Sequence, residues 1–195
     1  MSDPLIEEDE GSTPLTEEER EQLIPSYITL RSELNEAEQR NILEVEAWAF
    51  KQERNVLSEE FLKVLHRRMY GKVWRWAGSF RLTERNLGVE PYRIAIDVRQ
   101  LLEDCQYWID NQTYEPDEIA MRFSHRLVQI HPFPNGNGRH SRVAADLLLV
   151  KLGCERFTWG RANLVDPNIT RNQYIAALQS ADGHDYAPLS EFVRS

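Results

Sequence analysis

An imidazole, a glycine-lined turn and two guanidinium groups fall within twelve residues of this chain: His131-Pro132-Phe133-Pro134-Asn135-Gly136-Asn137-Gly138-Arg139-His140-Ser141-Arg142. The two prolines must end any helix that arrives at His131. The Gly136-Asn137-Gly138 turn lets consecutive backbone N–H groups converge with no Cβ in the way. A helix starting behind that turn aims its unpaired N–H groups and positive dipole end into the same space. The result is an anion site. Arg139 and Arg142, three residues apart, share one face of the first helical turn, where two planar forks suit a polyphosphate better than a single carboxylate. His131 stands at the entrance, and its ordinary pKa suits proton acceptance near neutrality. Taken singly, each feature has an ordinary reading as a common turn, a helix-end histidine or two solvated arginines. Their joint occurrence points to phosphate chemistry.

Helices must supply the frame. Glu36 to Gln52 places Ile42, Val45, Trp48 and Ala49 at helical spacing, and Ser58 caps a second stripe of Phe61, Leu62, Leu65 and Met69 that Gly71 closes. Trp74, Trp76 and Phe80 read as a compact aromatic connection. Between Arg81 and Ile96 the period changes: Asn86-Leu87-Gly88 can turn while Val89, Tyr92 and Ile94 suit extended chain, which predicts a short hairpin. Helical spacing returns over Asp97 to Asp110. Pro116 opens a helix toward His131, and a further helix from about Gly138 to Lys151 is apolar nearly all round apart from Asp146. Asn172 to Leu178 and Leu189 to Val193 predict one or two short helices more.

With 195 residues, 41% of them hydrophobic, the chain is long enough for one domain with a sizeable core. Residues 1–21 hold nine acidic side chains against one basic and read as an acidic flexible tail, with residues 22–195 as the folded domain. The remainder is nearly neutral despite the net charge of -9, so no basic field draws in nucleic acid. No apolar run approaches the roughly 20 residues that cross a bilayer, and the acidic start resembles no signal sequence. A cytoplasmic protein without membrane contact is expected. Cys105 and Cys154 have no metal-ligand spacing and read as small buried hydrophobes.

The twelve-residue segment resembles the motif of the Fic (Fido) family, His-x-Phe-x-Asp/Glu-Gly-Asn-Gly-Arg-x-x-Arg, at every specified position but one. LHRRMYGKVWRWAGSFR (65–81) is similar to the stretch before the Fic flap, and NLGVEPYRI to the flap itself. FSHRLVQIHPF is similar to the helix entering the motif, and YIAAL through PLSEFV to the family's C-terminal helices. Within the family the chain resembles most a subgroup called mobile mystery protein B, which sits beside a helix-turn-helix partner protein.

The resemblance implies an all-α, Fic-type helical bundle with a small β-hairpin flap and an N-terminal helical extension. It implies a toxin-like protein adenylyltransferase that moves AMP from ATP to a Ser, Thr or Tyr hydroxyl of a target protein with Mg2+. His131 would be the base and Phe133 a structural anchor. Gly136, Asn137 and Gly138 would hold the α- and β-phosphates, and Arg139 and Arg142 the β/γ end. The flap at Leu87, Gly88, Val89 and Tyr92 would align the target as an added strand.

Asn135 departs from the family pattern, because the metal-holding Asp or Glu is expected there and an amide brings no charge. This leaves open weakened transfer with high magnesium demand, transfer of another group (phosphate, UMP or phosphocholine), or a silent nucleotide-binding interaction module. The family's inhibitory Ser/Thr-x-x-x-Glu-Gly/Asn helix is half matched twice. Glu36 follows Ser32 and Glu33 follows Thr29, making both candidates to pair with Arg142.

Overall fold

The computed structural model describes residues 16–161 and 167–195. Among these, eight α-helices run in order: α1 Glu17–Arg20, α2 Arg31–Ala49, α3 Glu59–Tyr70, α4 Ile94–Asp110, α5 Pro116–Ile130, α6 Asn137–Lys151, α7 Pro167–Asp182 and α8 Ala187–Arg194. Among the described residues none is long and apolar enough to cross a membrane.

The pair α5 and α6 forms the centre, joined by the short loop from His131 to Gly136. Burial explains why α6 carries so continuous an apolar run: Val143, Ala144, Ala145, Leu147, Leu148 and Leu149 are all buried, and α3, α4 and α5 bury their own stripes beside them. Asp146 is the polar exception on this helix face, and it is satisfied. Its carboxylate accepts hydrogen bonds from the Trp159 indole (3.0 Å), the Phe157 amide (3.2 Å) and Arg156 (3.2 Å). A buried charge left unpaired would cost several kcal/mol, roughly, so this cluster also pins the chain that follows α6. Cys105 lies in the core with its thiol pushed up to about 12 by burial, whereas Cys154 is only half-buried.

Two expectations change. Residues 1–15 of the expected acidic tail lie outside the described residues, but the rest of it is folded. Thr16 caps α1, and Glu19 is buried because it pairs with Arg85 and answers the Thr16 amide (2.9 Å). Trp76 further fixes this segment through its indole to the Glu19 carbonyl (3.3 Å), and a single β-bridge joins Leu23 to Trp74. A charge run reads as solvated in sequence because its distant partner is invisible there.

The second change is the hairpin. No strand ladder forms among the described residues between Arg81 and Ile96; Pro91–Arg93, including Tyr92, is a 3-10 turn and Ile94 already opens α4. The flap is a loop whose backbone is held by a side chain and by the end of α5, not by a partner strand.

Candidate functional site

The loop between α5 and α6 is built in layers. At its entrance His131 takes the left-handed conformation (φ 55°, ψ 58°), which turns the chain off α5 immediately before the two prolines. Phe133, fully buried, stacks on the His66 ring at 3.7 Å between centroids and contacts the Phe80 and His140 rings. His66 itself accepts from the Gly78 amide through Nδ1 (3.0 Å), so its Nε2 carries the proton and donates to the Asn135 carbonyl (3.1 Å). Burial first, then the nearby His140, holds His66 neutral, well below the usual histidine range.

The turn follows. Gly136 has φ 77°, and its carbonyl receives the Tyr70 hydroxyl (3.3 Å) and the His140 amide (2.9 Å). Asn137 closes the loop on itself, its Oδ1 accepting from the Phe133 amide (2.9 Å) and its Nδ2 donating to the Phe133 carbonyl (2.8 Å). The expectation that Asn137 contacts phosphate is therefore narrowed to its backbone, because its side chain is engaged inside the loop. α6 starts here with the amides of residues 137–139 lacking an intrahelical acceptor, which is the geometry of a helix-terminal anion site.

Both arginines lie at this helix start, half-buried, and each faces a tyrosine ring at 5.3 Å: Arg139 over Tyr70 and Arg142 over Tyr174. Their surroundings differ in charge. Arg139 pairs with Glu38 (2.6 Å), and although burial opposes its charge, Tyr70 and Glu38 hold its pKa above the ordinary guanidinium value. Arg142 donates to the Gly138 carbonyl (3.3 Å) and makes no salt bridge to a carboxylate among the described residues; burial, opposed by Tyr174 and aided by Arg139, lowers its pKa. A half-buried cation without a carboxylate, beside unpaired helix amides, favours an anion.

The His131 ring is nearly buried and hydrogen-bonded to the Val128 carbonyl. A neutral imidazole that donates through one nitrogen presents the other as a lone-pair acceptor. Burial, with Arg81 and Arg85 adding positive charge, pushes its pKa down to about 4 against the opposing Val128 bond. The flap rests directly on it: a Cβ built on Gly88, which has φ 97°, would lie 2.6 Å from the His131 Cβ. Leu87 and Tyr92 are exposed, but Val89 donates to the Ile130 carbonyl (3.2 Å) and its own carbonyl is held by Arg81. Val89 thus has neither backbone group turned outward for an added strand.

Two sequence expectations are corrected. Glu36 is exposed and paired with Arg40 one turn along α2 (2.8 Å). Glu33 accepts from the Thr29 and Leu30 amides (2.9 and 3.0 Å), capping the same helix, and its pKa is lowered by those bonds. Neither touches Arg142. The glutamate that reaches Arg139 is Glu38, buried between that arginine and the Trp74 indole (2.7 Å), which sequence reasoning missed. Its signal was available: Leu34, Glu38, Asn41, Ile42, Val45 and Ala49 form the buried stripe of α2, and Glu38 interrupts it.

Asn135 does not fit a resident magnesium site. Its Oδ1 is held by the Gly136 amide (2.6 Å), it brings no charge, and among the described residues no cluster of His, Cys, Asp and Glu is placed to hold a metal.

Residues 56–149, from just before α3 into the last turn of α6, match the Fic/DOC family model. The chain is 30% identical over 133 residues to a protein adenylyltransferase Fic of Drosophila grimshawi, covering 66% of this chain and 26% of that protein. It is 28% identical over 145 residues to protein adenylyltransferase fic-1 of Caenorhabditis elegans, covering 72% and 27%. It thus spans about a quarter of the length of the curated relatives it matches. In fold it is similar to the BepC protein of Bartonella tribocorum crystallised with AMPPNP (TM-score 0.69, 17% identity, 92% of this chain and 97% of that one). It is also similar to Fic-1 of C. elegans (TM-score 0.65, 24% identity, 88% and 50%). Motif and family match coincide on residues 131–142, and residues 56–149 of this chain form a Fic/DOC family domain.

Proposed function

We propose that this chain transfers AMP from ATP to a hydroxyl group of a protein. The observation that carries the reading is the arrangement of the α5–α6 loop: a neutral, lone-pair-bearing His131 at one end and, at the other, a helix start with two half-buried arginines, one lacking a carboxylate. In this reading the triphosphate lies along the α6 amides with its distal end between Arg139 and Arg142. The target oxygen attacks the α-phosphorus as His131 takes its proton, the bond to the β-phosphate breaks, and pyrophosphate leaves. Curated relatives named as adenylyltransferases support the choice of AMP. The setting of this reading is the cytoplasm, where ATP is at hand, with a toxin-like or regulatory role beside a helix-turn-helix partner.

Incubating the protein with ATP labelled at the α- or the γ-phosphate tests it. Label from the α position alone is the expected result, γ-label would mean phosphoryl transfer, and neither would leave a binding module. Asn135→Asp supplies the carboxylate that the loop lacks, so it is expected to bind Mn2+ more tightly than the wild type and to reach half-maximal labelling at lower Mg2+. Unchanged Mn2+ binding would show that position 135 does not face a metal.

Glu38 favours a restrained enzyme, because Arg139 must exchange a buried carboxylate for phosphate. Glu38→Gln keeps an acceptor for the Trp74 indole while removing the charge. Self-labelling is expected to rise several-fold, with Glu36→Gln unchanged. Equal labelling by wild type and the Glu38 variant would remove the restraint.

A further inference from the structure

Arg81 is 2% exposed, and among the described residues no carboxylate forms a salt bridge with it. A cation so placed needs polar partners at its nitrogens. Here a backbone carbonyl answers each of the three. Nε donates to the His131 carbonyl (2.7 Å), Nη1 to the Thr83 carbonyl (2.9 Å) and Nη2 to the Val89 carbonyl, while the Arg81 amide donates to the Pro132 carbonyl (2.9 Å). Thr83 and Val89 are the two arms of the flap. One planar fork therefore ties both arms to the backbone of the histidine itself, and Gly88 between them can lie against His131 only because it has no Cβ.

We infer that Arg81 is the positioning residue for the protein substrate, the clamp that makes flap and His131 one rigid unit, so that a hydroxyl delivered along the flap meets the imidazole. The inference rests on the AMP-transfer reading of the same site and adds to it the device that replaces the missing strand ladder. Arg81 does this through geometry that lysine cannot copy: an ammonium is a compact point charge, whereas the guanidinium holds donors pointing in three directions within one plane. It touches no part of the α6 helix start, so triphosphate binding should be indifferent to it.

The test compares wild type, Arg81→Lys and Arg81→Gln. In the wild type the Arg81 Nε–H should exchange slowly with solvent, as befits a buried donor, and rapid exchange would overturn the clamp with no variant needed. In both variants the Val89 amide is expected to lose hydrogen-exchange protection by about tenfold or more while the α6 amides keep theirs. AMPPNP affinity and the KM for ATP should stay within about twofold, while kcat for self-labelling from α-labelled ATP falls by about 10²-fold, the cost of misplacing reacting groups by about an ångström. Lysine is expected to rescue none of it. Retained Val89 protection, or AMPPNP binding that weakens in step with labelling, would reject the proposal. If wild type labels nothing while Val89 still loses protection in the variants, the clamp stands and AMP transfer falls.

Discussion

His131→Ala is expected to abolish AMP transfer, a loss of about 10²-fold at the least, while AMPPNP binds within about twofold of wild type. The split follows from the layout: the imidazole belongs to the entrance of the loop, whereas the phosphates are assigned to the amides and arginines of α6 on its far side. Alanine carries one complication, since His131 has φ 55° and alanine enters that left-handed region less readily than histidine does. His131→Asn separates the two effects, because asparagine enters the left-handed region more readily yet offers no comparable base. Both variants should be equally inactive. Activity recovered by asparagine would make His131 a backbone device, and comparable labelling by alanine and wild type would refute it as the base.

The same residue sets the pH profile. With its pKa pushed down to about 4 by burial, and then by Arg81 and Arg85, His131 is already deprotonated at pH 6.5, where an unperturbed histidine would be half protonated. A base works only in that form. Labelling should therefore stay level as pH falls from 8 through 6.5 and decline only as it approaches 4. An acid limb centred near 6.5 would mean that the ring is solvated and not packed under the flap.

How much of this was legible in the sequence depends on how far apart the interacting residues lie. The loop from His131 to Arg142 could be read because its chemistry is local: prolines, a glycine turn and a helix start act on their immediate neighbours. Glu38 could not be found by motif because it meets Arg139 across 101 positions. Searching for Ser/Thr-x-x-x-Glu selected Glu36, two residues away and on the opposite side of α2, since residues two apart on a helix do not share a face. Helical burial was the better guide, as a glutamate inside an apolar stripe needs a partner. The hairpin failed for a related reason. Val89, Tyr92 and Ile94 have strand-like propensity, but propensity yields to tertiary context, and here a single arginine, the last residue of the 65–81 stretch, organises the loop. Asn137 shows the reverse limit: its place in the motif was plain, yet its side chain is engaged with the Phe133 backbone inside the loop.

Gly138→Ala is expected to keep or raise Tm while weakening AMPPNP binding by about tenfold or more, and Gly136→Ala to lose both together. The two glycines flank one asparagine but meet different surroundings. At Gly138, in the first turn of α6, a Cβ would have nothing within 4 Å, and alanine there favours the helix by up to about 1 kcal/mol. A helical Cβ tilts toward the N-terminus, so in the AMP-transfer reading a methyl group there crowds the phosphate oxygen that the α6 amides would hold; tenfold corresponds to about 1.4 kcal/mol of lost contact. At Gly136 a Cβ would lie 2.4 Å from the ring of Tyr70, and φ 77° adds strain of its own. Tyr70 is fully buried and lies under the Arg139 guanidinium, so a shift at Gly136 propagates to the arginine as well as to the turn. Calorimetric melting and AMPPNP titration of both variants separate a site defect from a fold defect. If Gly138→Ala bound the nucleotide as wild type does, the triphosphate could not lie on the α6 helix start, and the assignment of Arg139 and Arg142 to its distal end would fall with it.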